Sequence, residues 1–99
     1  MNMLRKIVDR YESELFTVST ILPFDDPQYE TAIYDKNYHH SFIVVEQYTT
    51  EEEAKMGHAK WVDIMLSNPP DKLEDVGAGF FGAMAKAMGE QMVYEKKLK

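Results

Sequence analysis

Ninety-nine residues with five glycines, four prolines and no cysteine make one domain's worth of chain, with room for a single modest core and none for a separate cofactor module. Seventeen acidic against eleven basic side chains leave a formal charge of −6, which sets the chain against the phosphate backbone of nucleic acids. The lack of cysteine removes disulfides, thiolate catalysis and cysteine-ligated zinc or iron–sulfur centres. No signal-like segment or apolar run of about 18 residues is present, so the chain reads as one soluble α+β domain over residues 1–99 with no membrane partner.

Taken in chain order, Met3, Leu4, Ile7, Val8 and Tyr11 fall at helical spacing with Arg5, Lys6, Asp9 and Arg10 between them, which predicts a short amphipathic helix over residues 1–12. Residues 15–22, rich in Phe, Thr, Val and Ile and closed by Pro23 and Asp25-Asp26-Pro27, read as a strand and a turn. Residues 29–34 and 41–48 read as two more strands, joined through the polar segment Asp35-Lys36-Asn37-Tyr38-His39-His40 and therefore antiparallel. Simple alternation in the last of these places Phe42, Val44 and Tyr48 on one face and Ile43 and Val45 on the other. A strand apolar on both faces belongs at the centre of a sheet or under a cover.

Thr50 and Glu53 form a capping-box pattern, and Glu51, Glu52 and Glu53 suit the positive end of a helix dipole. The helix is expected to stop at Ser67, before Asn68-Pro69-Pro70, with Ala54, His58, Trp61, Val62 and Met65 facing inward. Residues 71–76 read as a further turn. A final helix is expected over residues 80–98, with Phe81, Met84, Ala85, Met88 and Met92 in one stripe and Lys96, Lys97 and Lys99 at its carboxyl end. The expected fold is α+β: a small antiparallel sheet of about three strands packed by one central helix, with N- and C-terminal helices.

Gly77-Ala78-Gly79-Phe80-Phe81-Gly82 spells the dinucleotide pattern Gly-x-Gly-x-x-Gly. Residues 72–76 do not read as the strand that pattern requires, and the chain ends before an acidic residue about 20 positions on. The segment is better read as a hinge with close helix packing, helped by the small pairs Ala78/Gly82, Ala83/Ala87 and Ala85/Gly89. Gly77, Gly79 and Gly82 are kept as candidate contacts to a small nucleotide-like ligand. His39 and His40 are adjacent, so their side chains diverge in an extended chain, and neither His-x-x-x-His nor His-Glu-x-x-His occurs. No metal and no cofactor are expected.

His58 lies on the apolar face of the predicted helix beside Gly57, with Glu30, Glu46, Asp25 and Asp26 as candidate carboxylate neighbours. Its main reading is a partly buried imidazole bonded to a strand residue, with Gly57 admitting another backbone. The rival reading is a ligand contact in which Trp61 or Tyr48 stacks on the bound group. Ser13, Ser19, Ser41 and Ser67 carry no nucleophile motif, so no catalytic residue is assigned. Phe81, Met84, Met88 and Met92 divide between core and a contact between subunits, which predicts a homo-oligomer. Tyr29, Tyr34, Tyr38 and Tyr48 surround the hairpin without interleaved basic residues, a pattern for a protein or small planar ligand rather than single-stranded nucleic acid.

Three motifs carry a likeness: Tyr29-Glu30-Thr31-Ala32, Ile43-Val44-Val45-Glu46-Gln47-Tyr48, and Thr50-Glu51-Glu52-Glu53-Ala54-Lys55-Met56-Gly57-His58-Ala59-Lys60-Trp61-Val62, followed by a Pro-Pro-x-x-Leu turn over 69–73. Over roughly half its length the chain thereby resembles a group of small bacteriophage proteins. The resemblance implies a phage origin rather than an activity. It makes Gly57 and His58 signature positions and supplies no catalytic residues. The expected function is stoichiometric and non-enzymatic: binding of a host protein or signalling molecule in the host cytoplasm, of the host-interaction or anti-defence type. The alternatives are a virion component of the phage head or tail, held by other virion proteins, and a small metal-dependent hydrolase.

Overall fold

The computed structural model describes residues 5–23, 27–77 and 92–97. Their order is β1 (Arg5–Glu12), β2 (Thr17–Pro23), β3 (Tyr29–Tyr34), β4 (Ile43–Tyr48), α1 (Glu51–Ser67), β5 (Lys72–Glu74) and β6 (Val93–Glu95). The first four strands form an antiparallel sheet in the order β1-β2-β3-β4, and β5 and β6 form a second, two-stranded sheet. Helix α1 packs on one face of the larger sheet and touches all four of its strands. The fold is thus a small α+β layer pair, with four strands in the main sheet rather than three and one helix among the described residues.

The predicted N-terminal helix is a strand. Arg5, Lys6, Ile7, Asp9, Arg10, Tyr11 and Glu12 each have a partner in β2, and the register shifts between Ile7 and Asp9. Val8 is the extra residue of that bulge, so Ile7 and Val8 no longer alternate as in a regular strand and the period of two is hidden. A helix this short would have been marginal on its own, whereas pairing with β2 satisfies the backbone and suits Ile7, Val8 and Tyr11. The carboxyl end of the predicted last helix is also a strand, β6, which pairs with β5 in place of the predicted turn: Lys72 opposes Glu95, Leu73 opposes Tyr94 and Glu74 opposes Val93. Three-residue strands are too short for periodicity to register. The remainder of that predicted helix, with Phe81, Gly82, Met84 and Met88, lies outside the described residues, as do Gly79, Asp25 and Asp26.

The core lies between α1 and the sheet and holds Phe16, Val18, Ile33, Ile43, Val45, Met65 and Leu73, with Tyr38 at its end. Each fully buried aliphatic side chain there contributes about 1.5–3 kcal/mol. Helix α1 starts where its capping box requires: Thr50 Oγ1 accepts from the Glu53 backbone N–H, and Glu53 Oε1 accepts from the Thr50 backbone N–H, each at 3.2 Å. Asn68 ends it, its backbone N–H reaching the Ile64 carbonyl. Strand β4 lies at a sheet edge, not at the centre. Its open edge is met in part by Val76, whose N–H donates to the Val44 carbonyl, and on its second face Gly77 rests against the Val44 side chain. No helix among the described residues is long and apolar enough to cross a membrane.

Candidate functional site

A second bulge decides where the polar side chains of β4 go. Thr31 opposes Glu46 while Ala32 opposes Val44, so Val45 is the extra residue and the alternation is reset. Tyr48, which simple alternation grouped with Val44, therefore shares the helix-facing side with Ile43 and Val45, and Glu46 joins it there. The registers of all three strand pairs now line up: Asp9 opposes Thr20, Thr20 opposes Thr31, and Thr31 opposes Glu46. One polar row crosses the whole sheet beneath α1, at about 4.8 Å per strand. Both bulges of the sheet flank it.

The middle of the row is sealed. Thr20 and Thr31 are fully buried, and their hydroxyls are 2.7 Å apart. His58, only 5% exposed, comes down from α1 and places Nδ1 2.7 Å from Thr20 Oγ1, while its Nε2 lies 3.8 Å from Asp9 Oδ2. Tyr48 brings its hydroxyl to 3.1 Å from Thr31 Oγ1 and 3.1 Å from Glu46 Oε1. It can do so because residue 57 is glycine: a Cβ at that position would overlap the Tyr48 hydroxyl and ring. Glu46 Oε1 also accepts from Lys60 Nζ at 2.6 Å and from Trp61 Nε1 at 2.8 Å. The partly buried bonds from Trp61 and Tyr48 to this charged group contribute about 1.5–3 kcal/mol each, whereas the Lys60 pair is exposed and screened; a buried donor or acceptor left alone costs about 1–3 kcal/mol. No buried side-chain nitrogen or oxygen among the described residues lacks a partner.

The electrostatics follow from these contacts. Burial opposes ionisation of Glu46, but its hydrogen bonds from Lys60 and Trp61, the Lys60 charge and the Tyr48 hydroxyl outweigh that and hold its carboxyl below the usual range. Burial pushes the Tyr48 phenol up to about 12, with the Glu46 charge adding to the rise against the Thr31 bond. Burial also lowers the His58 imidazole, partly offset by the Asp9 carboxylate. Near neutrality the row therefore holds an ionised Glu46, a protonated Tyr48 and a neutral His58.

Two surface clefts open at its ends. One, of about 520 Å³, lies between the end of β4 and the first turns of α1 and is lined by Glu46, Tyr48, Glu53, Met56, Gly57 and Lys60. The other, of about 390 Å³, lies between α1 and β1, with Asp9 and His58 at its base.

His58 is bonded to a strand residue, Thr20, as expected, and the close neighbour that Gly57 admits is the Tyr48 side chain rather than a backbone. His58, Tyr48 and Trp61 do come together, joined through the threonines and Glu46. Gly77 is not part of that group; it rests on Val44, whose partner Ala32 belongs to the opposite face. Met92 leads into β6, its carbonyl accepting from the Asp75 N–H at 2.7 Å. Of the expected carboxylates, Glu46 reaches His58 only through the hydroxyl chain, and Glu30 pairs with Ile21 and Gln47 on the other face. Asp9, the acid beside His58, was missed because its segment read as a helix. Thr20 and Thr31 were missed as ordinary strand formers. The tyrosines of the hairpin do not form one cluster: Tyr38 is buried and donates to the Pro70 carbonyl, while Tyr34 packs on Phe42. His39 stacks on Tyr94 with ring centroids 4.3 Å apart. Among the described residues no group of three or more His, Asp or Glu side chains is placed to hold a metal ion. Compared with known proteins, the chain matches no protein-family model, no curated protein and no solved structure.

Proposed function

We propose that the protein acts by stoichiometric binding, as a phage accessory protein that occupies a host protein or signalling molecule in the host cytoplasm. The observation that carries this reading is the Glu46 end of the row. Glu46 holds Lys60 and Trp61 through one carboxylate oxygen, with Tyr48 braced behind it by Thr31. These side chains are committed to one another by hydrogen bonds, which suits a preorganised binding wall. Of these, Glu46, Tyr48 and Lys60 line a cleft of about 520 Å³, within the range of small-ligand sites, roughly 300–1,000 Å³. At its mouth Met56 is 75% exposed, an adaptable apolar contact of the kind used at binding surfaces. The phage assignment rests on the resemblance of the Tyr29–Val62 motifs.

Native mass spectrometry of the protein purified from infected cells tests this. The expected spectrum shows a small homo-oligomer carrying either a retained small molecule or one host protein at fixed ratio, and Met56→Glu with Lys60→Glu removes the extra mass. Recovery of the chain at fixed copy number in purified particles, with nothing retained in the free pool, would overturn the reading in favour of a virion component.

A further inference from the structure

The cleft at the Glu46 end of the row has two unlike walls. One is made by Glu46, Gln47, Tyr48 and Thr49, four consecutive residues at the end of β4 and just beyond it. Successive side chains of a strand point to opposite faces, so four in a row do not line a hollow that lies over one face. The cleft runs along the edge of the strand, beside its backbone. The other wall is Glu53, Met56, Gly57 and Lys60, whose spacing is that of one helix face. Together they form a groove between a strand edge and a helix.

Strand β4 ends the sheet order β1-β2-β3-β4, and its open edge is used unevenly. At Val44 the carbonyl accepts from the Val76 N–H at 2.8 Å. Past the bulge, between Glu46 and Tyr48, no strand among the described residues pairs with that side. The stretch then closes at Thr49, whose N–H is held by Glu53 Oε1 at 3.2 Å. An open edge of this kind is a template for another strand, and a helix beside it supplies pockets for alternate side chains.

The lining sets the chemistry of the occupant. Glu46 and Glu53 stand against a single cation, Lys60. All the hydrogen bonds that the two carboxylates accept from described residues fall on Oε1, so each keeps acceptor capacity on its second oxygen. Met56 adds an exposed apolar contact on the same wall. We infer that the groove takes an extended segment of a partner protein as a further strand on the β4 edge, with one basic and one apolar side chain turned towards α1. This rests on the reading of the Glu46 cleft as a binding wall and narrows its ligand from small molecule or protein to protein.

The test is amide NMR of the full chain titrated with two blocked pentapeptides, acetyl-Thr-Lys-Thr-Val-Thr-amide and its reverse, which cover both strand directions. At least one is expected to give saturable shifts at Gln47, Thr49 and Gly57. Two analogues of that peptide carry N-methyl groups on alternate amides, one on the threonines and one on the lysine and valine. An added strand turns only every second N–H towards its neighbour. One analogue should therefore bind at least about tenfold more weakly and the other nearly as well as the parent. Glutamate in place of the lysine should remove binding. Equal binding by both methylated analogues overturns the inference, as does equal binding of the glutamate peptide or an absence of shifts with both pentapeptides. Failure of the peptides while native mass spectrometry shows a retained small molecule overturns the added strand and leaves stoichiometric binding standing. Recovery of the chain in particles alone overturns the host-binding reading, and the titration still decides the groove.

Discussion

Tyr38 and Tyr48 look alike by every single-residue measure. Both are buried, and burial pushes both phenols up to about 12. Their hydrogen bonds differ in kind. Tyr38 donates at 2.5 Å to the Pro70 carbonyl, which ties the β3–β4 loop to the chain after α1. Tyr48 places its hydroxyl as a donor within reach of two side chains, so it links Thr31 and Glu46. Burial tells how costly a phenol is to disturb, whereas connectivity tells how far the disturbance travels. Removing the first hydroxyl should be a local loss, and removing the second should reach through Thr31 and Thr20 to His58 on α1.

Gly57→Ala should do the most damage to this contrast, because the added methyl takes the space of the Tyr48 ring and hydroxyl. Overpacking costs typically about 1–3 kcal/mol, and the upper end is expected here. Urea denaturation should show the loss, with a structure at Tyr38 that is unchanged by aromatic NMR. Tyr48→Phe comes next, at about 2–3 kcal/mol, since it removes the bond to charged Glu46 and leaves Thr31 with Thr20 alone as a hydroxyl partner. Tyr38→Phe should cost about 1 kcal/mol, the net worth of one neutral hydrogen bond. Equal losses in the two variants would dissolve the distinction.

The pH dependence sharpens it. His58 is lowered in the fold, so the folded state binds fewer protons than the unfolded one. Its contribution is complete above the unfolded value of 6.5 and is lost as the pH falls through the lowered folded value. Glu46 is lowered below 4.5, so its contribution is complete above 4.5 and is lost in more acid solution. Denaturation midpoints should therefore decline in two steps, the upper one absent in His58→Asn and the lower one reduced in Glu46→Gln. The smallest effect is expected of Lys6→Ala. Its pair with Glu51, at 2.6 Å, is exposed on both sides, and such pairs are screened by salt. The midpoint should stay within error of the parent.

Helix α1 was legible because its stop and start signals are local: Thr50 and Glu53 at one end, Asn68-Pro69-Pro70 at the other. Strand β3 was legible for its length and composition. Strand β1 was not, because the bulge at Val8 sets Ile7 and Val8 side by side and imitates helical spacing. The site divides in the same way. His58 beside Gly57 announced a close approach, but its partners depend on register, which no single strand contains. One sign was present: Thr20 lies in phase with Val18, and Thr31 in phase with Ile33, so both threonines occupy core-facing positions where an apolar residue was due. The doubled Val44-Val45 before Glu46 was the matching sign of a bulge.

The polar row also bears on how the chain finds its fold. Its members come from four strands and a helix, and Thr20 and His58 are 38 positions apart, so it can close only after the long-range contacts are made. A slip of two residues in β2 or β3 keeps the same face inward but moves a threonine away from its neighbour and leaves hydroxyls buried without partners. Aliphatic side chains tolerate such slips far better, since one methyl group packs much like another. Thr20 and Thr31 thus act as a proofreading mark within an otherwise forgiving core: they add little to the depth of the native well but raise the energy of its nearest mispaired competitors.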